Sequence, residues 1–148
     1  MADIKDMAEF QLPKPVIAEA HGVRVLLLQS AALVSEEEVG DIVVTCSHGG
    51  VSAGEYAAQH PIRMAFFNDA GFGREDAGVA GIQLLQDHGI AAGAVAHTSA
   101  RIGDPEDTWA SGVISRLNQL ALDAGLREGE PLRQEVLNYL QRQNPISE

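Results

Sequence analysis

Cysteine occurs once in this 148-residue chain, at Cys46, and lysine only twice, at Lys5 and Lys14. A single cysteine excludes an intramolecular disulfide and a cysteine-rich zinc site, and it fits a reducing compartment. Ten basic residues face 21 acidic ones, giving a formal net charge of −11 and a sequence pI of about 4.7. With no basic patch to override that charge, nucleic acid and anionic membrane surfaces are disfavoured as partners. No apolar run approaches the ~20 residues of a membrane span. The N-terminal stretch MADIKDMAEFQLPKP carries acidic residues where a secretory signal needs a basic flank and an apolar stretch. A soluble cytoplasmic protein is the expectation.

What the chain does contain is ample apolar material, 45% of its residues. A chain of this length is near the modal size of one domain and buries roughly 68–70% of its unfolded surface. Residues 1–14 are polar and read as an N-terminal arm; residues 15–148 read as a single α/β domain. Val16–Ala20 and Val23–Leu28 predict a hairpin about His21-Gly22. Ser35, three residues before Glu38, has capping-box spacing and predicts a short helical crossover. Asp41–Cys46, Ile62–Phe67 and Ile90–Ala96 predict strands. They lack strict polar alternation, as expected for strands covered on both faces.

Helices are expected over Gly54–His60, ended by Pro61, and over Asp76–His88, stopped by Gly89. Asp104-Pro105 offers an acidic N-cap and a proline at the first helical position. Trp109, Val113, Leu117, Leu120 and Ala121 then fall on one helical face as far as Gly125. A last helix opens at Pro131, with Leu132, Val136, Leu137 and Leu140 inward. This order predicts a small three-layer doubly wound α/β fold with a four- to five-stranded, mainly parallel sheet. So short a sheet, with only 5% aromatic residues, is expected to form a homo-oligomer.

Three short polar clusters follow the three core strands, and in a parallel sheet the carboxyl ends of strands share one edge where ligands bind. In the first, Ser47-His48-Gly49-Gly50, glycines let the backbone turn tightly and present N–H groups to an anion. A plain strand-to-helix turn explains the same glycines. Thr45–Gly50 also resembles the nucleophile elbow G-x-S-x-G, with Thr45 in place of the first glycine. Ser47, Asp69 and His97 follow successive strands in the Ser, Asp, His order of α/β-hydrolases, although the chain is short for that fold. Cys46, at the end of an apolar strand, reads as a buried structural thiol. A phosphatase-type phosphate loop would need an arginine soon after it, and none occurs before Arg63.

In the second cluster, Asn68-Asp69-Ala70-Gly71-Phe72-Gly73, Asn and Asp favour a turn. Gly71-Phe72-Gly73 matches part of a dinucleotide fingerprint, but Asp76 stands where the third glycine belongs. The third cluster runs from His97 to Asp104. His97 is a candidate general acid/base. Ser99 could donate to substrate or turn the loop. Arg101 could hold a carboxylate or phosphate through its planar fork, or pair with Asp104 to lock the loop. His48, His97 and Asp69 also make a two-histidine, one-carboxylate metal set conceivable, though without short ligand spacing.

Taken together, SHGGVSAGEYA, FFNDAGFGREDAGVAG and SARIGD with the following GVIS resemble an uncharacterised family of small bacterial α/β proteins with no named activity. The resemblance covers about residues 41–117 and implies that the three segments belong together.

These residues lead to the expectation of an enzyme of hydrolase, lyase or isomerase type acting on a small anionic carbonyl metabolite. His48, Asp69, His97 and Ser47 are the catalytic candidates. Gly49, Gly50, Asn68, Gly71, Ser99 and Arg101 are the substrate-binding candidates. No metal or cofactor is called for. Among three mechanisms, a serine triad, a metal site and a histidine acid/base oriented by Asp69, the third is preferred. In it Asn68 donates to a developing oxyanion. A non-catalytic ligand-binding or regulatory subunit is the alternative.

Overall fold

The β-branched runs pair into one six-stranded sheet whose spatial order follows the chain. A computed structural model describes residues 13–72 and 74–142. Strands β1 (Val16–Ala20) and β2 (Val23–Leu28) form the expected antiparallel hairpin. Its turn places positive φ at both central residues, 52° at His21 and 83° at Gly22, as a two-residue turn matched to strand twist requires. Strands β3 (Ile42–His48), β4 (Met64–Asn68) and β5 (Ala91–Val95) continue parallel to β2. Strand β6 (Ile114–Leu117) closes the sheet antiparallel to β5. Of the arm expected over residues 1–14, only Pro13 and Lys14 lie among the described residues.

Two expectations are corrected. The sheet has six strands rather than four or five, and the extra one lies inside the single helix expected from Asp104 to Gly125. That segment is instead a helix, a strand and a second short helix. Asp104 and Pro105 cap the start as expected, with Asp104 accepting from the Asp107 N–H at 3.0 Å. The helix then stops at Gly112, whose backbone turns extended (φ −63°, ψ 137°). A Cβ there would meet the Val95 side chain at 2.8 Å. Val113 and Ile114 pass alongside β5, where their β-branched side chains suit a pleated surface. The four-residue apolar spacing was genuine, but residues from helix and strand meet the same core by different routes.

Helices α1 (Val51–Ala57) and α2 (Ala80–Asp87), with 3₁₀ turns at Ala31–Leu33 and Glu36–Glu38, cover one face. Helices α3 (Pro105–Ser111), α4 (Gln119–Asp123) and α5 (Leu132–Arg142) cover the other. The three layers are thus present, but strand order never reverses. Every crossover from β2 to β5 lies on one face, and the second layer is built by the chain beyond β5. Phe66 and Phe67, both fully buried, show the strand period of two: one enters each core. Truncating either to alanine is expected to cost about 3–5 kcal/mol.

Three buried carboxylates are each matched to a cation. Glu38 pairs with Lys14, Asp41 with Arg24 and Glu135 with Arg127, at 3.2, 2.6 and 2.8 Å. Glu38 also completes the capping box with Ser35.

Candidate functional site

Two irregularities shape the carboxyl edge of the sheet. In β3, Val44 pairs with Phe66 but His48 pairs with Asn68, so β3 carries two more residues than β4 over this stretch. In β6, Ile114 pairs with Val95 and Arg116 with Ala94, leaving Ser115 as an extra residue opposite β5. Such bulges re-aim side chains at the ends of sheets. Beyond β5, the chain from His97 to Asp104 crosses back over the edge. Asn68 Nδ2 donates to Ala100 O at 3.2 Å, and the Gly103 N–H donates to Cys46 O at 3.2 Å.

Asp69 is the centre of the edge. It is 2% exposed, and four donors converge on its carboxylate. Oδ1 accepts from the Gly71 N–H at 2.7 Å, the His97 N–H at 3.0 Å and His97 Nδ1 at 3.3 Å. Oδ2 accepts from Ser115 Oγ at 2.7 Å. Burial alone would raise the Asp69 carboxyl. The Ser115 hydroxyl, the two N–H groups and the His97 ring outweigh it and hold the group below the usual carboxylate range. An ionised carboxylate only accepts, so Nδ1 of His97 carries a proton, and in the neutral ring Nε2 is the nitrogen that holds the lone pair. The His97 side chain is 54% exposed, so the ring is open to solvent although its partner carboxylate is buried. The ring rests against Gly71, where a Cβ would lie 3.5 Å from it. A shallow hollow of about 170 Å³ adjoins it, lined by His97, Thr98, Ser99, Ala100, Arg101 and Asp107.

The backbone around this pair is held in an unusual form. Positive φ occurs at Ala70 (52°), Gly71 (74°) and Phe72 (66°) in succession. For Ala70 and Phe72 this costs roughly 1–2 kcal/mol each. The turn persists because Asn68 Oδ1 binds the Ala70 N–H at 2.8 Å, Asp69 Oδ1 binds that of Gly71 and Asp69 O binds that of Phe72 at 2.7 Å.

The other candidates are committed to contacts of their own. Ser47 Oγ accepts from the Ala31 N–H and donates to Thr45 Oγ1, both at 3.1 Å. Nδ1 of His48 accepts from the Gly50 N–H at 3.1 Å. Among the described residues neither Ser47 nor His48 hydrogen-bonds to Asp69 or His97. The Gly49 N–H is also committed, to Asn68 O at 3.2 Å. Gly49 and Gly50 therefore serve packing: α2 approaches so closely that the Gly81 N–H donates to Gly49 O at 2.7 Å. Asn68 is fully buried with its amide engaged at both ends. Ser99 Oγ donates to Ala96 O and accepts from the Val113 N–H, bracing the loop.

Arg101 is exposed at the rim of the hollow beside His97, and its N–H donates to Asp107 Oδ2 at 2.8 Å. The side chain of Asp104 caps α3, and no ion pair joins it to Arg101 among the described residues. The Cys46 thiol donates to Gln29 O at 3.0 Å, and burial pushes it up, as befits a structural thiol. Among the described residues, no group of three or more His, Cys, Asp or Glu side chains is arranged to hold a metal ion.

Two residues of the site were not singled out from the sequence. Ser115 fixes one oxygen of Asp69, and Arg116 lies over the Phe72 ring at 4.9 Å from its centre. Both sit at the β6 bulge. Ser115 ends the GVIS segment, whereas no pattern in the sequence points to Arg116. Comparison with known proteins adds no relative: no family model, curated protein or solved structure matches the chain.

Proposed function

We propose that this protein is an enzyme of hydrolase, lyase or isomerase type whose acid/base is His97, oriented by Asp69, acting on a small anionic carbonyl compound. The observation that carries the proposal is the buried, ionised Asp69 held to Nδ1 of an otherwise exposed imidazole. A carboxylate on Nδ1 fixes the tautomer and ring orientation and stabilises the imidazolium formed when Nε2 takes a proton. Nothing of this kind is required for a turn to fold: Asx-type bonds from Asn68 and Asp69 alone would do that. Arg101, beside the same hollow, supplies attraction for an anion. The Asn68 amide, already bonded, orders the loop rather than donating to substrate.

The test is turnover. Purified protein is offered small 2-oxo acids, lactones and thioesters, and products are followed by mass spectrometry and NMR. His97→Ala and Asp69→Asn are each expected to lose about 10²–10⁴-fold in rate, the usual contribution of general acid/base catalysis. Turnover that survives both substitutions, or a covalent adduct on Ser47, would overturn the proposal.

A further inference from the structure

The bulge in β6 brings two neighbouring residues to the same edge, and only one of them holds Asp69. Arg116 pairs directly with Ala94, which belongs to the core beneath α1 and α2. Phe72 packs against that core, and the Arg116 guanidinium lies over its ring, 4.9 Å from the centre. Phe72 follows Gly71, whose backbone lies against the His97 ring. Arg116 and His97 thus flank the two-residue turn 71–72 whose positive φ values are fixed by Asp69.

We propose that Arg116, mounted on Phe72, is the specificity residue of this site and binds a planar carboxylate of the substrate. The inference rests on the acid/base reading of His97 for its place in a reaction, though not for its binding step. The aromatic face holds the guanidinium by cation–π attraction and leaves its edge, with its forked N–H donors, for a planar partner. A carboxylate matches that fork with two parallel hydrogen bonds. A phosphate is the poorer match here. It calls for several donors around one centre, yet the Gly49 and Gly50 N–H groups are spent inside the fold. A dianion would also stand near the ionised Asp69. Arg101 is the less suited clamp: it is exposed, and its charge acts on the Asp107 carboxylate, which the Arg101 N–H and the Ser111 hydroxyl hold low. The chemistry selected is therefore a carboxylic acid whose reactive carbon lies within reach of Nε2 of His97.

Isotope-labelled protein titrated with sodium acetate, sodium pyruvate and inorganic phosphate, at constant ionic strength with chloride, decides the matter. Acetate and pyruvate are expected to shift the Gly71, Phe72 and His97 signals saturably. Arg116→Gln should weaken that binding at least tenfold, with Arg116→Lys recovering only part of it. Arg101→Gln, which removes only a charge at the rim, should weaken it less than Arg116→Gln does, by under threefold. Phe72→Leu, which removes the ring but keeps an apolar side chain, should also weaken binding and guards against a misfolded Arg116 variant. Saturation by phosphate alone, no saturable shift at all, or loss of binding in Arg101→Gln but not Arg116→Gln would overturn the proposal. Because the readout is binding, a His97→Ala protein that keeps its turnover would sink the acid/base reading while leaving Arg116 to be judged on its own result.

Discussion

Asp69 joins stability and chemistry in one side chain. Its folded carboxyl is held low, so its contribution is fully present above the ordinary carboxylate value of about 3.9 and is lost as pH falls through the lower folded value. Urea unfolding followed from pH 7 downward should therefore show a fall in stability below about pH 4. Asp69→Asn should flatten that part of the curve. Ser115 is the donor that makes the arrangement unequal, since it alone occupies Oδ2 while backbone and imidazole share Oδ1. Ser115→Ala leaves a buried carboxylate short of a donor and is expected to cost about 1–3 kcal/mol. It should also shorten the acid limb, because without that donor the folded carboxyl rises towards its unfolded value. A variant with unchanged stability and an unchanged acid limb would show that the 2.7 Å contact contributes nothing.

Among the elements, the approach of α1 to α2 depends on glycine for a reason a helix-propensity scale reverses. Gly54 lies within α1, where alanine would ordinarily stabilise by about 1 kcal/mol. Its added Cβ, however, would lie 2.7 Å from the Cα of Gly81, a backbone atom that cannot swing aside. Gly54→Ala is expected to destabilise by about 1–3 kcal/mol, the usual cost of overpacking, seen as a lower thermal midpoint. A raised midpoint would mean that the helices separate freely. The same elements show how far local pattern reaches. Ser35 and Glu38 formed their capping box as their spacing predicts, because both partners lie within one turn. The glycines after β3 looked equally suited to an anion or to a turn. Their N–H groups proved to be committed to Asn68 and His48, and their backbone to α2.

For the whole molecule, the two sheet edges are treated differently. Outside β6 runs the segment from Glu128 to Leu132, which bonds to it through Glu130 O, the Gly129 N–H and the Glu128 carboxylate. Outside β1 no strand pairs among the described residues, and Val16 at its start is 47% exposed. An open edge of this kind is a template for a second strand. We expect β1 to pair with β1 of a second copy about a two-fold axis. Light scattering at micromolar concentration should return twice the chain mass, and Glu19→Pro, at a position whose N–H alternates away from β2, should return the single-chain mass. A single-chain mass for the unaltered protein would rule the dimer out. None of the described helices is long and apolar enough to cross a membrane.

Local sequence was enough to specify the hairpin, the three parallel core strands, the capped start of α3 and the pairing of a carboxylate with a histidine at the ends of β4 and β5. Each of these follows from backbone sterics, β-branched side chains or caps acting over a few residues, or from parallel strands sharing one edge. Tertiary structure alone decided that residues 114–117 form a strand. A helical period cannot compete with an open edge of β5 beside a chain turned at Gly112. It alone decided that Ser115, 46 positions from Asp69, completes the carboxylate's hydrogen bonds. That contact depends on a single extra residue in the register of β6, and register is set by the pairing of whole strands rather than by any residue within them.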